Sequence, residues 1–232
     1  MDVEHRERLS QAGVDVEVLD DLDLVRADDA WDPWWHEHEN VLYAVRGAEL
    51  PRGALERMTG YPFSRALVVL ASPLEHLVSL LVGDDATVFI GAGCVLTAAE
   101  IYCGPQSQVV LHGPLTATRC AVVDARNGGT VVVGPDGLWA ADVYVATDDM
   151  HRLGDRSTGE RLNPFGAHVR IGRHVWLCKD AVVTGHTRVG DGAVVGMRSV
   201  VRNQDVPPHT AVAGVPARVV RKDVEWDEQD RP

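Results

Sequence analysis

The sequence predicts a mainly β protein wound as a coil with three flat faces, with an α/β cap at its N-terminus. Three observations point there: an aliphatic motif that recurs five times, a six-residue period across the C-terminal half, and the lack of that period in the first eighty residues. The motif reads Thr87-Val-Phe-Ile-Gly, Gln108-Val-Val-Leu-His, Thr130-Val-Val-Val-Gly, His168-Val-Arg-Ile-Gly and His186-Thr-Arg-Val-Gly. Its anchors Ile90, Leu111, Val133, Ile171 and Val189 lie 21, 22, 38 and 18 positions apart, and the last spacing is three hexads. Phe165, Ile171, Leu177, Val183, Val189, Val195 and Val201 stay in step, with small or β-branched Val169, Val175, Ala181, Thr187, Ala193 and Ser199 between them. A period of six fits neither a helix nor a simple two-sided strand. It fits a coil in which each face sends one aliphatic inward and sets one small residue at the corner. An antiparallel sandwich is the alternative, and seven anchors in step speak against it.

Taken in order, residues 1–85 form the cap. Ser72-Pro73-Leu74-Glu75 is a capping-box pattern, so a helix is expected to run from there to Gly83. Its stripe of Leu77, Leu80 and Leu81 would cover the open end of the coil. Trp31, Trp34 and Trp35, set among Asp29, Asp32, His36 and Glu37, are read as packing aromatics before sugar-stacking ones. The β-helix is placed at 86–221. Ile90, Leu96 and Tyr102 mark a loose first coil, and Val133, Trp139 and Val145 mark a regular one. Three hexads from Val133 end at Met150, so His151 stands where the next coil should begin. The chain instead leaves the register through Gly154, Gly159 and Pro164 and returns at Phe165, which defines an excursion loop over 151–164. Residues 222–232 are a tail in which Trp226 packs briefly before the end frays.

Composition narrows the class. The 232 residues are 45% apolar and 24% charged, as in a globular domain. The longest uncharged apolar stretch, 66–74, is far short of the ~20 residues of a membrane span. No secretory leader is visible after Met1, and Cys94, Cys103, Cys120 and Cys178 make no Cys-x-x-Cys, so a cytoplasmic protein without zinc knuckle or disulfide framework is expected. The net charge of −12 argues against nucleic acid as a partner, but it is uneven. Residues 1–40 carry thirteen acids against three arginines, whereas residues 165–222 carry nine basic residues against three aspartates. The basic segment is suited to a small polyanion.

Val169-Arg-Ile-Gly-Arg-His-Val-Trp-Leu, Val189-Gly-Asp-Gly-Ala-Val-Val-Gly, Ser199-Val-Val and Ala213-Gly-Val-Pro-Ala-Arg218 resemble the C-terminal signature of the left-handed parallel β-helix acyltransferases built on hexapeptide repeats. Asp149-Met-His151 and Thr158-Gly-Glu-Arg-Leu-Asn163 resemble the bacterial polysaccharide O-acetyltransferases, those of polysialic acid capsules among them. The resemblance covers about residues 86–226. It implies left-handed winding, acetyl-CoA as co-substrate, a carbohydrate acceptor, a homotrimer, and His151 as the general base. Histidine suits that task because it exchanges a proton near neutral pH. Asp148 or Asp149 would hold the imidazole. Trp176, outward beside inward Leu177, would line the pantetheine arm. The backbone at Gly196 and Ser199 would pass close to the cofactor, and Arg202 and Arg218 are candidates for its phosphates. Two departures stand out: Cys178 occupies a position where glycine often follows the anchor, and Arg202-Asn203 replaces a commoner Thr-Lys, which leaves the adenosine contacts open.

Three other functions fit parts of the sequence. An N-acyltransferase acting on an amino sugar would use similar machinery. A metal-dependent lyase of the carbonic anhydrase type needs three histidines, two of them five residues apart. His168 and His174 are six apart and 190–191 are Gly and Asp, so no metal is expected. A non-catalytic scaffold would not need the loop histidine. A covalent acyl-cysteine at Cys178 lacks a histidine partner in sequence, so direct transfer is expected.

Overall fold

The computed structural model describes residues 1–28, 31–149, 151–163 and 165–229; Asp29, Met150 and Pro164, named above, lie outside the described residues. The hexads stack into a parallel β-helix of three sheets, visited in the order first, second and third face. From Leu67 on, the first face holds Leu67–Leu70, Thr87–Ile90, Gln108–Leu111, Thr130–Val133, His168–Ile171, Thr187–Val189 and Asp205–Val206. The second runs from Cys94–Leu96 through Gly137–Trp139 and Trp176–Leu177 to Thr210–Gly214, and the third from Ser79–Val82 through Tyr144–Ala146 to Val200–Arg202.

The aliphatic period is the core. Leu70, Ile90, Leu111, Val133, Ile171, Val189 and Val206 stand in register as one buried column. Leu177, Val183, Val195 and Val201 are likewise buried, and so are Val169, Val175, Ala181, Thr187, Ala193 and Ser199 at the corners. Each buried aliphatic contributes roughly 1.5–3 kcal/mol. On the second face, Ala117 sits in register beside Trp139. A small residue next to the largest one keeps the column filled without overpacking. Val133 pairs with Ile171 across the 38-residue gap, so the excursion lies outside the winding and costs no rung.

Four expectations are corrected. The winding begins before residue 86, because Val41–Val45 and Leu67–Leu70 pair in parallel on the first face and Ser79–Val82 supplies the third. The expected helix over 72–83 is therefore not formed. Ser72 Oγ donates to the Gly91 carbonyl and accepts from the Cys94 N–H, both at 2.8 Å, so it stitches the next rung instead of capping a helix. Tyr102 points outward, between buried Ile101 and Cys103. Phe165 is 65% exposed, so the inward column resumes only at Val169.

The open end is closed by α3 (Trp34–Glu37) and α4 (Arg52–Met58), which bury Trp34, Trp35, Leu55 and Met58 in the main core. Outside the first face, α1 (Val3–Gln11), α2 (Val16–Asp20) and the turn between them lay Leu9, Val14 and Leu19 on Tyr43, Val69, Phe89 and Val110. That is why Thr87–Ile90 is buried on both sides whereas His168–Ile171 alternates between exposed and buried. Trp226 of the tail packs, as expected, and is buried.

Candidate active site

The excursion leaves the corner between the third and first faces, and two side chains tie it down. Asp148 is buried and accepts from Asn127 Nδ2 at 3.1 Å and from the Gly166 N–H at 3.2 Å, joining the two roots of the loop. Asn163, also buried, accepts from the Leu153 N–H and donates to the His151 carbonyl, both at 2.8 Å. Beyond them the chain folds on itself: Leu162 N–H donates to Leu153 O and Asp155 N–H to Glu160 O. At the tip, the Ser157 hydroxyl and the Thr158 and Ser157 N–H groups hold the Asp155 carboxyl down at about 2. Arg161 lies 5.0 Å from the Phe165 ring centre. Thus His151 is exposed, while its own backbone is anchored by Asn163.

Among the described residues no hydrogen bond is made to the His151 ring. The two carboxylates expected to support it are occupied elsewhere. Asp148 holds the loop roots, and Asp149 Oδ2 accepts from Arg202 Nη2 at 2.9 Å across 53 residues of sequence. Arg202 reaches it because Ala146, Thr184 and Arg202 stand in register on the third face. Next to this corner His168 and His186 lie one rung apart, with ring centres at 5.7 Å and planes tilted by 56°, and His168 Nδ1 lies 3.0 Å from Thr130 Oγ1. The sequence marks this pair through the motif that opens two rungs with histidine.

Trp176 is on the second face, away from that corner. It is half-buried and faces Trp226 of the tail, with ring centres 6.0 Å apart. Trp226 in turn stacks on His174 at 4.0 Å and 8°, and its Nε1–H donates to the His174 carbonyl at 2.9 Å. The ring is aimed there by the corner residue His174, whose φ of 54° is left-handed, and by Asp136 Oδ2, 2.9 Å from its Nδ1. Leu138, Trp176 and Trp226 line a recess of about 540 Å³ rimmed by Glu225, Asp227 and Glu228. Trp226 was visible as a packing residue, but its place over Trp176 was not.

The remaining residues are spread further. Gly196 lies at the second-to-third corner, where a Cβ would come within 3.1 Å of Ala213 Cβ. Ser199 is buried there, and its Oγ accepts from the Gly214 N–H at 3.0 Å. Arg218 lies on the antiparallel return strand Ala217–Lys222, exposed, its Nη1 on the carbonyl of Ala217. Burial pushes the Cys178 thiol up, the opposite of what a nucleophilic thiolate needs. Within one chain, then, His151, Asp148, Asp149 and Arg202 come together, and Trp176, Gly196, Ser199 and Arg218 occupy the second face and its edges.

No known family profile matches the sequence. Over 101 residues, 40% of this chain, it is 36% identical to the putative lipopolysaccharide biosynthesis O-acetyl transferase of Escherichia coli, covering 50% of that protein. It is 36% identical over 115 residues, half of this chain, to the serine acetyltransferase of E. coli, covering 39% of it. With the galactoside O-acetyltransferase of E. coli it shares 33% identity over 96 residues, covering 40% of this chain and 44% of that one. The chain thus spans about half the length, or less, of the curated relatives it matches. Among solved structures, the polysialic acid-specific acetyltransferase NeuO superposes with a TM-score of 0.51 at 20% identity, over 73% of this chain and 82% of that one. In sequence the chain resembles the hexapeptide-repeat acetyltransferases, and its fold is theirs, a left-handed parallel β-helix.

Proposed function

We propose that the protein is an acetyl-CoA-dependent O-acetyltransferase acting on a sugar hydroxyl, with His151 as general base. One observation carries this reading: between Val133 and Ile171 the wall is interrupted by a long excursion that sets an exposed histidine on a loop whose roots are fixed by buried Asp148 and Asn163. Acetyl-CoA would supply the activated acyl group. His151 would accept the proton of the acceptor hydroxyl as its oxygen attacks the thioester carbon. As the carbon–sulfur bond breaks, His151 would return that proton to the departing thiolate. The Trp176–Trp226 recess is suited by its apolar walls to a pantetheine arm. Its rim of Glu225, Asp227 and Glu228 is unsuited to phosphates, so the phosphates belong elsewhere.

The placement of residues also supports a homotrimer. His151 and Trp176 stand on opposite sides of the first face, so one copy's loop would be completed by another copy's second face. Leu153, Leu162 and Phe165 of the loop are each about 60% exposed. Apolar side chains grouped on one protruding element are suited to a neighbouring copy. His151→Ala should lower acetyl-CoA turnover on the true acceptor by about 10²–10⁴-fold, read as free thiol release. Turnover within a few-fold of wild type would end the proposal. A second class of acceptor, the amino group of an amino sugar, is separated by giving the enzyme matched hydroxyl and amine acceptors.

A further inference from the structure

On the outer side of the first face one column of residues runs in register through every rung: Tyr43, Val69, Phe89, Val110, Val132, Arg170, Arg188 and Asp205. Its first part is apolar because α1 and α2 roof it. The roof ends at Gly13, which lies over Val132; a Cβ there would sit 3.8 Å from the valine methyl. Beyond it the column changes from aliphatic to cationic, and Arg170 and Arg188 stand exposed on the floor of a groove of about 490 Å³.

Two features of this pair call for an anion. Adjacent rungs are spaced at ~4.8 Å, so the arginines are like charges placed directly opposite each other, an arrangement that disfavours the sheet. Asp191 and Asp205 line the same groove, but neither is in ion-pair contact with these guanidinium groups. Among the described residues no carboxylate lies within 4 Å of either, Asp205 of the next rung included; other arginines, Arg221 among them, also lack an ion pair, and what sets Arg170 and Arg188 apart is that they stand side by side in one column. Asp191 at the groove edge accepts instead from the Arg173 N–H at 2.9 Å. Arginine forks match phosphate and carboxylate oxygens, and two of them one rung apart can share a single oxyanion.

We propose that Arg170 and Arg188 form an oxyanion-binding subsite for a phosphate or carboxylate group. Arg170 lies on the strand that the chain enters on leaving the excursion loop, so an anion held there lies on the face beside the His151 corner. Which substrate brings the anion rests on the acetyl-transfer reading; the subsite itself does not.

The test uses the full-length protein and inorganic pyrophosphate as probe, titrated calorimetrically at low ionic strength. The wild-type chain should bind it, with affinity falling as salt is added. R170Q/R188Q should weaken binding by about tenfold or more, and R221Q on the return strand should leave it unchanged. A smaller loss in the double variant, or no binding by the wild-type chain, overturns the subsite. Circular dichroism checks the fold, and if the double variant does not fold, R170Q and R188Q are read singly by the same criterion. Steady-state kinetics then identify the source. A KM increase for acetyl-CoA that disappears with its 3′-dephospho form assigns the anion to the cofactor, and one confined to carboxylate-bearing acceptors assigns it to the glycan. A chain that binds pyrophosphate through these arginines yet transfers no acetyl group would keep the subsite and refute the enzyme.

Discussion

Asp148 and Asp149 are neighbours in sequence with opposite situations. The buried carboxylate of Asp148 satisfies the Asn127 amide and the Gly166 N–H. Removing it as Asp148→Ala strands those donors, at about 1–3 kcal/mol of stability. Because they join the loop roots, and on the proposed role of His151 as base, kcat should fall as well, through misplacement of that histidine. Asp149 pairs with Arg202 with both groups half exposed, and such pairs contribute about 0–1 kcal/mol. Asp149→Ala should therefore leave the melting temperature nearly unchanged. Thermal melts of the two variants side by side check this, and equal losses would contradict it. The loop histidine was legible in the sequence because it falls where the register breaks. Its support was not, because Asp148 meets Asn127 and Gly166 from positions that the hexad count does not bring together.

Among the elements, α1 and α2 are held to the first face partly by imidazoles. His112 Nε2–H donates to the Gly13 carbonyl at 3.2 Å, and His5 lies 3.1 Å from the Tyr43 hydroxyl. Burial lowers both histidines below the ordinary 6.5. A lowered folded-state value means that, as pH falls through 6.5, the unfolded chain takes up protons first, so stability is lost on acidification from about 6.5 downward until the folded imidazoles protonate. Amide exchange over residues 3–20, corrected for intrinsic chemistry, should therefore quicken between pH 7 and 5. His112→Gln should flatten that change, and a pH-independent protection factor would refute it. The strand Ser79–Val82 shows why this region was harder to read. Its Ser-Pro-Leu-Glu lead-in is locally a helix start, but Leu80 and Val82 gain more by registering on Ile101 and Cys103. Tertiary pairing overrides local capping.

For the whole molecule, the proposed roles of His151 and Trp176, which stand on different sides of the winding, imply that activity needs an assembly. Sedimentation at working concentration should give three times the 25.2 kDa chain mass. Dilution that dissociates it should abolish acetyl transfer while circular dichroism stays unchanged, since each copy has its own complete core. An active monomer would remove the shared-site reading. Stacked rungs also mean that each coil leans mainly on its neighbours, so core changes act locally along the axis.

The period, the three faces and the broken register at His151 were determined by the sequence alone. A stacked coil repeats one local rule, in which alternate side chains point inward and corners admit only small groups, so that rule is written into consecutive residues. Only the tertiary structure decided that Asp149 meets Arg202 and that Trp226 covers Trp176 and His174; Arg170 and Arg188 are neighbours by the period, and the fold decided only that they stand bare beyond the edge of a helical roof. The Asp149–Arg202 and His174–Trp226 contacts join residues 53 and 52 positions apart, and they depend on how far the excursion and the tail extend around the wall, which no six-residue period encodes.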